Sequence, residues 1–349
     1  MRGLIRVHPC HPWPLQFFRF PIWANLGHLW LLPLFLSACA HHAEPKSPPP
    51  ASPALLSTTH RVEPWSFRGH RGSLITTPNY RLYSTCTDQA LVSQLPGFLE
   101  RALTEYTTAF GPLPKPTLHL DTFLLADRSQ WEALTRQLMG AEAPTYLRIE
   151  RGGFASGGRA VLLPLGPRDT FAIAAHEGWH QYTQRAFRDP LPTFLEEGLA
   201  TLFEGLTPDP AEPGRFLLSP QSNPERLAQL RRADSGRRLL SLSQIGDITP
   251  DTLLTQDQDA ALTWYAQCWA LARFLSEDSR YAPSLHRLLA DAASGAIRTT
   301  LTARSDSLYA DRVLRARQGA EVLTAYFGDL RTSAADFDRF VGALLAPTP

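Results

Sequence analysis

The stretch "HEGWHQY" at residues 176–182 decides how this chain is read. On an α-helix, positions i and i+4 lie on one face one turn apart, so His176 and His180 would aim both imidazoles at a single ion. Glu177 is rotated by about 100° from His176. It would reach a water beside that ion without being a third ligand on the same face. The surrounding run, "RDTFAIAAHEGWHQYTQRAF" (168–187), reads as a helix with Asp169 or Thr170 at its cap. Its apolar entry suits a buried helix. Gly178 inside it costs about 1 kcal/mol relative to alanine, which points to close approach by another element.

Two imidazoles are not a complete site. Zinc takes a third protein ligand and keeps a fourth position for water. Fourteen residues after His180, "FLEEGLATLFEG" (194–205) begins a second helix, with Pro192 suited to its first turn. It offers two adjacent glutamates, Glu196 and Glu197, and the residues alone leave both open. With a zinc ion in place, Glu177 is expected to take a proton from water and pass it to a leaving amine.

Outward from these helices the pattern divides. Toward the N-terminus, "NYRLYST" (79–85) and "TLHLDTFLLA" (117–126) alternate as strands, and "GGFASGGRAVLLPL" (152–165) is a glycine-rich turn followed by a strand. Between them lie helices over 88–111, which Pro96 is expected to kink or split, and 127–140, capped by Asp127 or Ser129. From residue 168 nearly everything has helical spacing, as in "ALTWYAQCWALARFLSED" (261–278) and "SAADFDRFVGALL" (333–345). The fold class is α+β. A small N-terminal sheet layer with helices (66–165) packs against a mostly helical part (166–345), with the His176 helix at the junction. The arginine cluster 226–238 reads as a solvated helix face and loop. His119 and His286 have no partner at ligand spacing.

The first residues carry a different signal. Arg2, Arg6 and Arg19, without an acid, precede the apolar "PIWANLGHLWLLPLFLSAC" (21–39). Asn25, His28 and Pro33 make that stretch a poor permanent span, and the layout is that of a secretory signal, residues 1–38. Leu36-Ser37-Ala38-Cys39 resembles the bacterial lipobox, which implies lipidation of Cys39 and anchorage in the cell envelope. Ala40 after it is compatible with an outer-membrane destination. Residues 39–65, rich in Pro, Ser and Ala, read as a semi-rigid tether in which His41 and His42 are solvated. Cys86 and Cys268 are left, either paired or separately buried. The 349 residues are 44% hydrophobic and 19% charged with net charge +1. That is a globular composition, with no basic patch or stripe to suggest nucleic acid.

An HExxH run followed by a helix reading W/F-L-x-E-G-x-A resembles the gluzincin metallopeptidases, in which the glutamate of the E-G pair binds zinc. The resemblance implies Glu197 as third ligand beside His176 and His180, one Zn2+ per chain, and Glu177 as catalytic base. It leaves the role of Glu196 open. Thr201 stands where some gluzincins carry an acid that orients a histidine, so such a partner must come from elsewhere or be missing. Tyr265 resembles the tyrosine that donates to the oxyanion in gluzincin aminopeptidases, although an apolar stripe through Trp269 and Ala272 would look the same. With "TTPNYRLYST" (76–85), "GGF" (152–154) and "AYFGDLRTSAADFDRFV" (325–341), the chain is most similar to peptidase-MA-like bacterial domains of uncharacterised function, over roughly residues 70–345. The region 152–166 has no acid where the aminopeptidases hold a free amine, so hydrolysis of internal peptide bonds is expected. "RAVLLP" (159–164) is the expected edge strand for an extended peptide or protein substrate. The alternative is an inactive zinc-bearing lipoprotein serving as a binding module.

Overall fold

The computed structural model describes residues 60–149, 152–209, 211–212, 215–219, 223–248 and 258–346. The expected signal segment, the lipidated Cys39 and the tether through residue 59 lie outside the described residues. Among the described residues, no helix is long and apolar enough to cross a membrane.

A six-stranded sheet forms the N-terminal layer. Its strands are β1 (Arg61–Phe67), β2 (His70–Thr76), β3 (Tyr80–Ser84), β4 (Leu120–Leu124), β5 (Gly153–Ser156) and β6 (Arg159–Leu162). Their spatial order is β1-β2-β3-β4-β6-β5. The β3–β4 and β4–β6 pairs are parallel and the others antiparallel. Residues 61–65, read above as the end of the tether, belong to β1. Their register against β2 pairs Arg61 with Thr76 and Phe67 with His70. Pro64 and the partly polar composition hid that strand from a pattern search, and an edge strand tolerates both. The edge nearest the second helical half is β5. The expected edge segment, 159–164, is instead interior, because β6 lies between β4 and β5. Gly157 (φ 57°) and Gly158 (φ 72°) make the tight turn joining them, and left-handed φ at both central positions is what a two-residue hairpin of this kind needs.

Helices cover both faces of the sheet. On one face lies α1 (Gln89–Thr108), which runs unbroken through Pro96 and is capped by the Asp88 side chain accepting from the Leu91 N–H. Its buried stripe, including Leu91, Leu95, Phe98, Ala102 and Tyr106, packs on β3 and on α4 (Pro167–Ala186). On the other face, α2 (Arg128–Met139), capped by Asp127, and the short α3 (Ala143–Tyr146) close a second core around Trp131, Tyr146 and Phe154.

The C-terminal part is helical. It comprises α5 (Thr193–Phe203), α6 (Pro224–Ser235), α7 (Leu242–Asp247), α8 (Gln258–Glu277), α9 (Ala282–Ser294), α10 (Ala296–Thr302), α11 (Ser307–Ala316), α12 (Gly319–Phe327) and α13 (Leu330–Leu345). A two-stranded hairpin, β7 (Leu206–Pro208) with β8 (Phe216–Leu218), follows α5. The α5 helix is buried along its whole length between α4 and α8. Cys86 and Cys268 are not bonded to each other: Cys268 is buried in α8, and Cys86 is partly buried beside the sheet.

Candidate metal centre

The entry to α4 is set by Gly166 and Pro167, and not by an Asp169 or Thr170 cap. Gly166 (φ 92°) occupies the cap position and Pro167 the first turn, where its fixed φ and missing N–H cost nothing. Thr170 still ties the entry down, donating to the Gly166 carbonyl (2.6 Å) and accepting from the Leu165 N–H (3.0 Å). Gly178 has the role its position suggested. A Cβ there would sit 2.5 Å from the Tyr106 hydroxyl, which donates to the Ala175 carbonyl at 2.6 Å. The glycine lets α1 approach the helix that carries both histidines. Gly198 does the same on the other side. A Cβ on it would lie 2.5 Å from the Cys268 carbonyl and 2.9 Å from Ala272 Cβ, so the glycine of the E-G pair admits α8 against α5.

These close approaches bring His176, His180 and Glu197 into one buried group that could hold a metal ion, with one ligand atom from each within 4.8 Å of the others. His176 Nε2 is 3.5 Å from Glu197 Oε2, and His180 Nε2 is 3.4 Å from Glu197 Oε1. A tetrahedral ion with bonds of about 2.0–2.1 Å separates neighbouring ligand atoms by roughly 3.3 Å, so the spacing fits. Two of these atoms, His180 Nε2 and Glu197 Oε2, are buried without a hydrogen-bond partner. Buried polar atoms are seldom left so, and a cation between them supplies what they lack.

The opposite ring nitrogens define the histidines' orientation. His180 Nδ1 is 3.0 Å from Glu196 Oε1, an oxygen that also accepts from Thr183 Oγ1 at 2.7 Å. Glu196 is therefore the carboxylate behind one ligand and Glu197 is the one in front. His176 Nδ1 is 2.9 Å from Glu204 Oε1. The orienting acid missing at Thr201 is thus supplied three residues later, and Thr201 instead donates back to the Glu197 carbonyl. A carboxylate on Nδ1 holds the imidazole with its Nε2 lone pair free for a metal. Each of these acids meets a guanidinium. Arg226 is 3.4 Å from Glu204 and Arg317 is 3.9 Å from Glu196. Sequence reasoning missed Glu204, Arg226 and Arg317 as site residues. The arginine cluster 226–238 is solvated only in part: Arg231, Arg232, Arg237 and Arg238 are exposed, whereas Arg226 points inward.

The electrostatics agree with a cation site. Four carboxyls (Glu177, Glu196, Glu197, Glu204) surround the two imidazoles, with Arg226 beside Glu204 and Arg317 beside Glu196; charge this far from water needs matching. Burial pushes the His176 imidazole down, but the neighbouring carboxylates of Glu197 and Glu204 outweigh this and raise it to about 9. His180 is likewise raised, against its burial, by Glu197 and Glu196. Burial pushes the Glu197 carboxyl up, and the two imidazoles hold it down at about 2.

Glu177 is 2% exposed and makes none of these ligand contacts. Burial raises its carboxyl above the ordinary range, with the two imidazoles pulling the other way. The Cβ position of Gly153, on edge strand β5, is 3.4 Å from Glu177 Cγ. That strand is clamped to α4, because Gln184 accepts from the Gly158 N–H (2.9 Å) and donates to the Ala155 carbonyl (3.3 Å). Tyr265, on α8, is buried. Its hydroxyl is kept protonated first by burial and then by the nearby charges of Glu197 and Glu177, and the Arg226 guanidinium lies over its ring at 5.3 Å. His119 and His286 are exposed and stand apart from the group.

No curated protein and no solved structure matches the chain. The profile of a family described as "Protein of unknown function (DUF1570)" matches residues 170–294, a span that holds every residue of the centre except Arg317.

Proposed function

We infer that this chain is a zinc-dependent metallopeptidase of the gluzincin type that hydrolyses internal peptide bonds. His176, His180 and Glu197 would hold the ion, which when bound supplies the Lewis acidity that makes water a nucleophile near neutral pH. Glu177 would serve as the base that accepts a proton from water and passes it to the leaving amine, a task suited to a buried carboxyl raised above its ordinary range. The Tyr265 hydroxyl, kept protonated, donates to the oxyanion as it develops. An extended substrate adds to the edge of β5, the strand whose Gly153 packs beside Glu177. The lipobox at Cys39 would tether this chemistry to the bacterial envelope.

The observation that carries this reading is Glu177 itself. A metal held only for structure needs no buried carboxyl beside it outside the ligand set. The test is Glu177→Gln in the full chain, with zinc content measured by elemental analysis and hydrolysis followed on casein and a peptide library. The variant is expected to keep its zinc and lose hydrolysis; full activity would refute the mechanism. One observation favours a second reading, a zinc-bearing binding module. His176, Glu177, His180 and Glu197 are only 1–5% exposed, as in a closed structural site. Stoichiometric zinc with no hydrolysis by the unmutated chain would decide for it.

A further inference from the structure

Arg226 stands in the first turn of α6, yet its side chain is only 11% exposed. Its guanidinium serves two neighbours at once. Nη2 lies 3.4 Å from Glu204 Oε1, the oxygen that meets His176 Nδ1 at 2.9 Å, and Cζ lies 5.3 Å from the centre of the Tyr265 ring. The same turn of helix grips the other side of this carboxylate, since Asn223, the α6 cap residue, donates through Nδ2 to Glu204 Oε2 at 2.8 Å.

We propose that Arg226 is a positioning residue that couples the metal ligand His176 to Tyr265 through one guanidinium plane. The proposal rests on the reading of the buried group as a metal centre. Its logic is geometric. By matching the charge of Glu204, Arg226 keeps that carboxylate an acceptor for His176 Nδ1–H, which leaves Nε2 turned toward Glu197. By lying over the ring, the same plane fixes where the Tyr265 ring sits relative to the ion. A lysine could carry the charge but has no planar face to lay on an aromatic ring, and an aliphatic side chain of similar size could fill the space with neither property.

The test measures Zn2+ affinity of the full chain by competition with a chromophoric chelator, together with the visible spectrum of the Co2+-loaded protein. Far-UV circular dichroism checks that each variant is folded. Arg226→Met keeps the volume and removes the charge. It is expected to weaken zinc binding about 10- to 100-fold, the usual effect of losing a group that supports a ligand, and to shift the Co2+ bands. Arg226→Lys returns the charge but not the planar face, so it is expected to recover only part of the affinity, to roughly fivefold below the unmutated chain, as for Tyr265→Leu. Tyr265→Phe, which keeps the ring, should bind zinc as the unmutated chain does. Tyr265→Leu, which removes the face under the guanidinium, should weaken binding roughly fivefold and add little to Arg226→Met. If the unmutated chain binds zinc and Arg226→Met binds it equally with unchanged Co2+ bands, the coupling is overturned and the metal centre stands. If Tyr265→Leu matches Tyr265→Phe, the Tyr265 half of the coupling is overturned. If the unmutated chain binds no zinc, both the centre and the coupling fall. Should Arg226→Met not fold, Asn223→Ala takes its place, since it loosens the same carboxylate and is expected to shift affinity in the same direction; unchanged affinity there overturns the proposal.

Discussion

Replacing Gly178 by alanine tests how α4 is held, and its cost follows from the packing. The added methyl would sit 2.5 Å from the Tyr106 hydroxyl. The ring cannot retreat, because Tyr106 is fully buried among Trp179, Tyr182 and Phe203 and its hydroxyl is bonded to the Ala175 carbonyl. Overpacking a core costs about 1–3 kcal/mol, and a broken hydrogen bond adds about 1 kcal/mol. Alanine's better helix propensity returns about 1 kcal/mol. The net expectation is a loss of about 2 kcal/mol, equivalent to a fall of about 3 °C in Tm for a folded part of about 290 residues. In a Tyr106→Phe background the obstructing oxygen is gone. The next ring atoms lie 3.4 and 3.5 Å from the new methyl, an ordinary contact, so the same substitution should be neutral or stabilise by up to about 1 kcal/mol. The coupling between the two sites is therefore about 2–3 kcal/mol, at the upper end for residues in contact. Urea unfolding of the four proteins in the double-mutant cycle, metal-free in chelator and followed by tryptophan fluorescence, measures it. Equal costs of Gly178→Ala in both backgrounds would refute the idea that the glycine exists to admit Tyr106.

Two further predictions concern the centre. Glu204→Gln and Glu196→Gln should each weaken zinc binding about 10- to 100-fold, whereas Glu197→Gln should abolish stoichiometric binding; zinc titration ranks the three, and a Glu196 variant as damaging as the Glu197 variant would reverse the assignment of ligand and support. The second prediction is a pH dependence. In the metal-free protein both imidazoles are raised, His176 to about 9, and both must lose protons to bind a metal. Zinc affinity should therefore climb between about pH 6.5 and 9, by one to two powers of ten per unit, and a flat profile would contradict the geometry. The metal-free fold should show the opposite sense. The contribution of His176 to its stability is complete below the ordinary imidazole value of about 6.5 and is lost as pH rises through about 9. Unfolding curves in chelator across that window check the sign.

Much of the centre is legible locally. The i, i+4 pair, the apolar entry to its helix and the interior glycine all act within a few turns of one helix, so spacing alone brings His176 and His180 to one face. The helices themselves announce their apolar stripes, and Asp127 sits where a cap is expected, whereas Asp88, read as the first residue of its helix, is that helix's cap. The Glu196 and Glu197 question was not legible in the same way. Adjacent helical residues point about 100° apart, and which of the two faces the histidines depends on the rotation of α5. That rotation is set by Gly198 meeting Cys268 and Ala272 on α8, some seventy residues away.

The sequence by itself determined the i, i+4 histidine pair, the helical second half and the place of Glu177 about 100° around the helix from His176, because each depends on periodicity within one element. The tertiary structure alone decided the rest. It made Glu196 and Glu204 the supports of His180 and His176. It turned Arg226 inward from a run of otherwise exposed arginines, brought Arg317 to Glu196, and put β5, not β6, at the edge of the sheet. These are contacts between elements, governed by which buried charges must meet and which backbones can approach, and no local pattern carries that information.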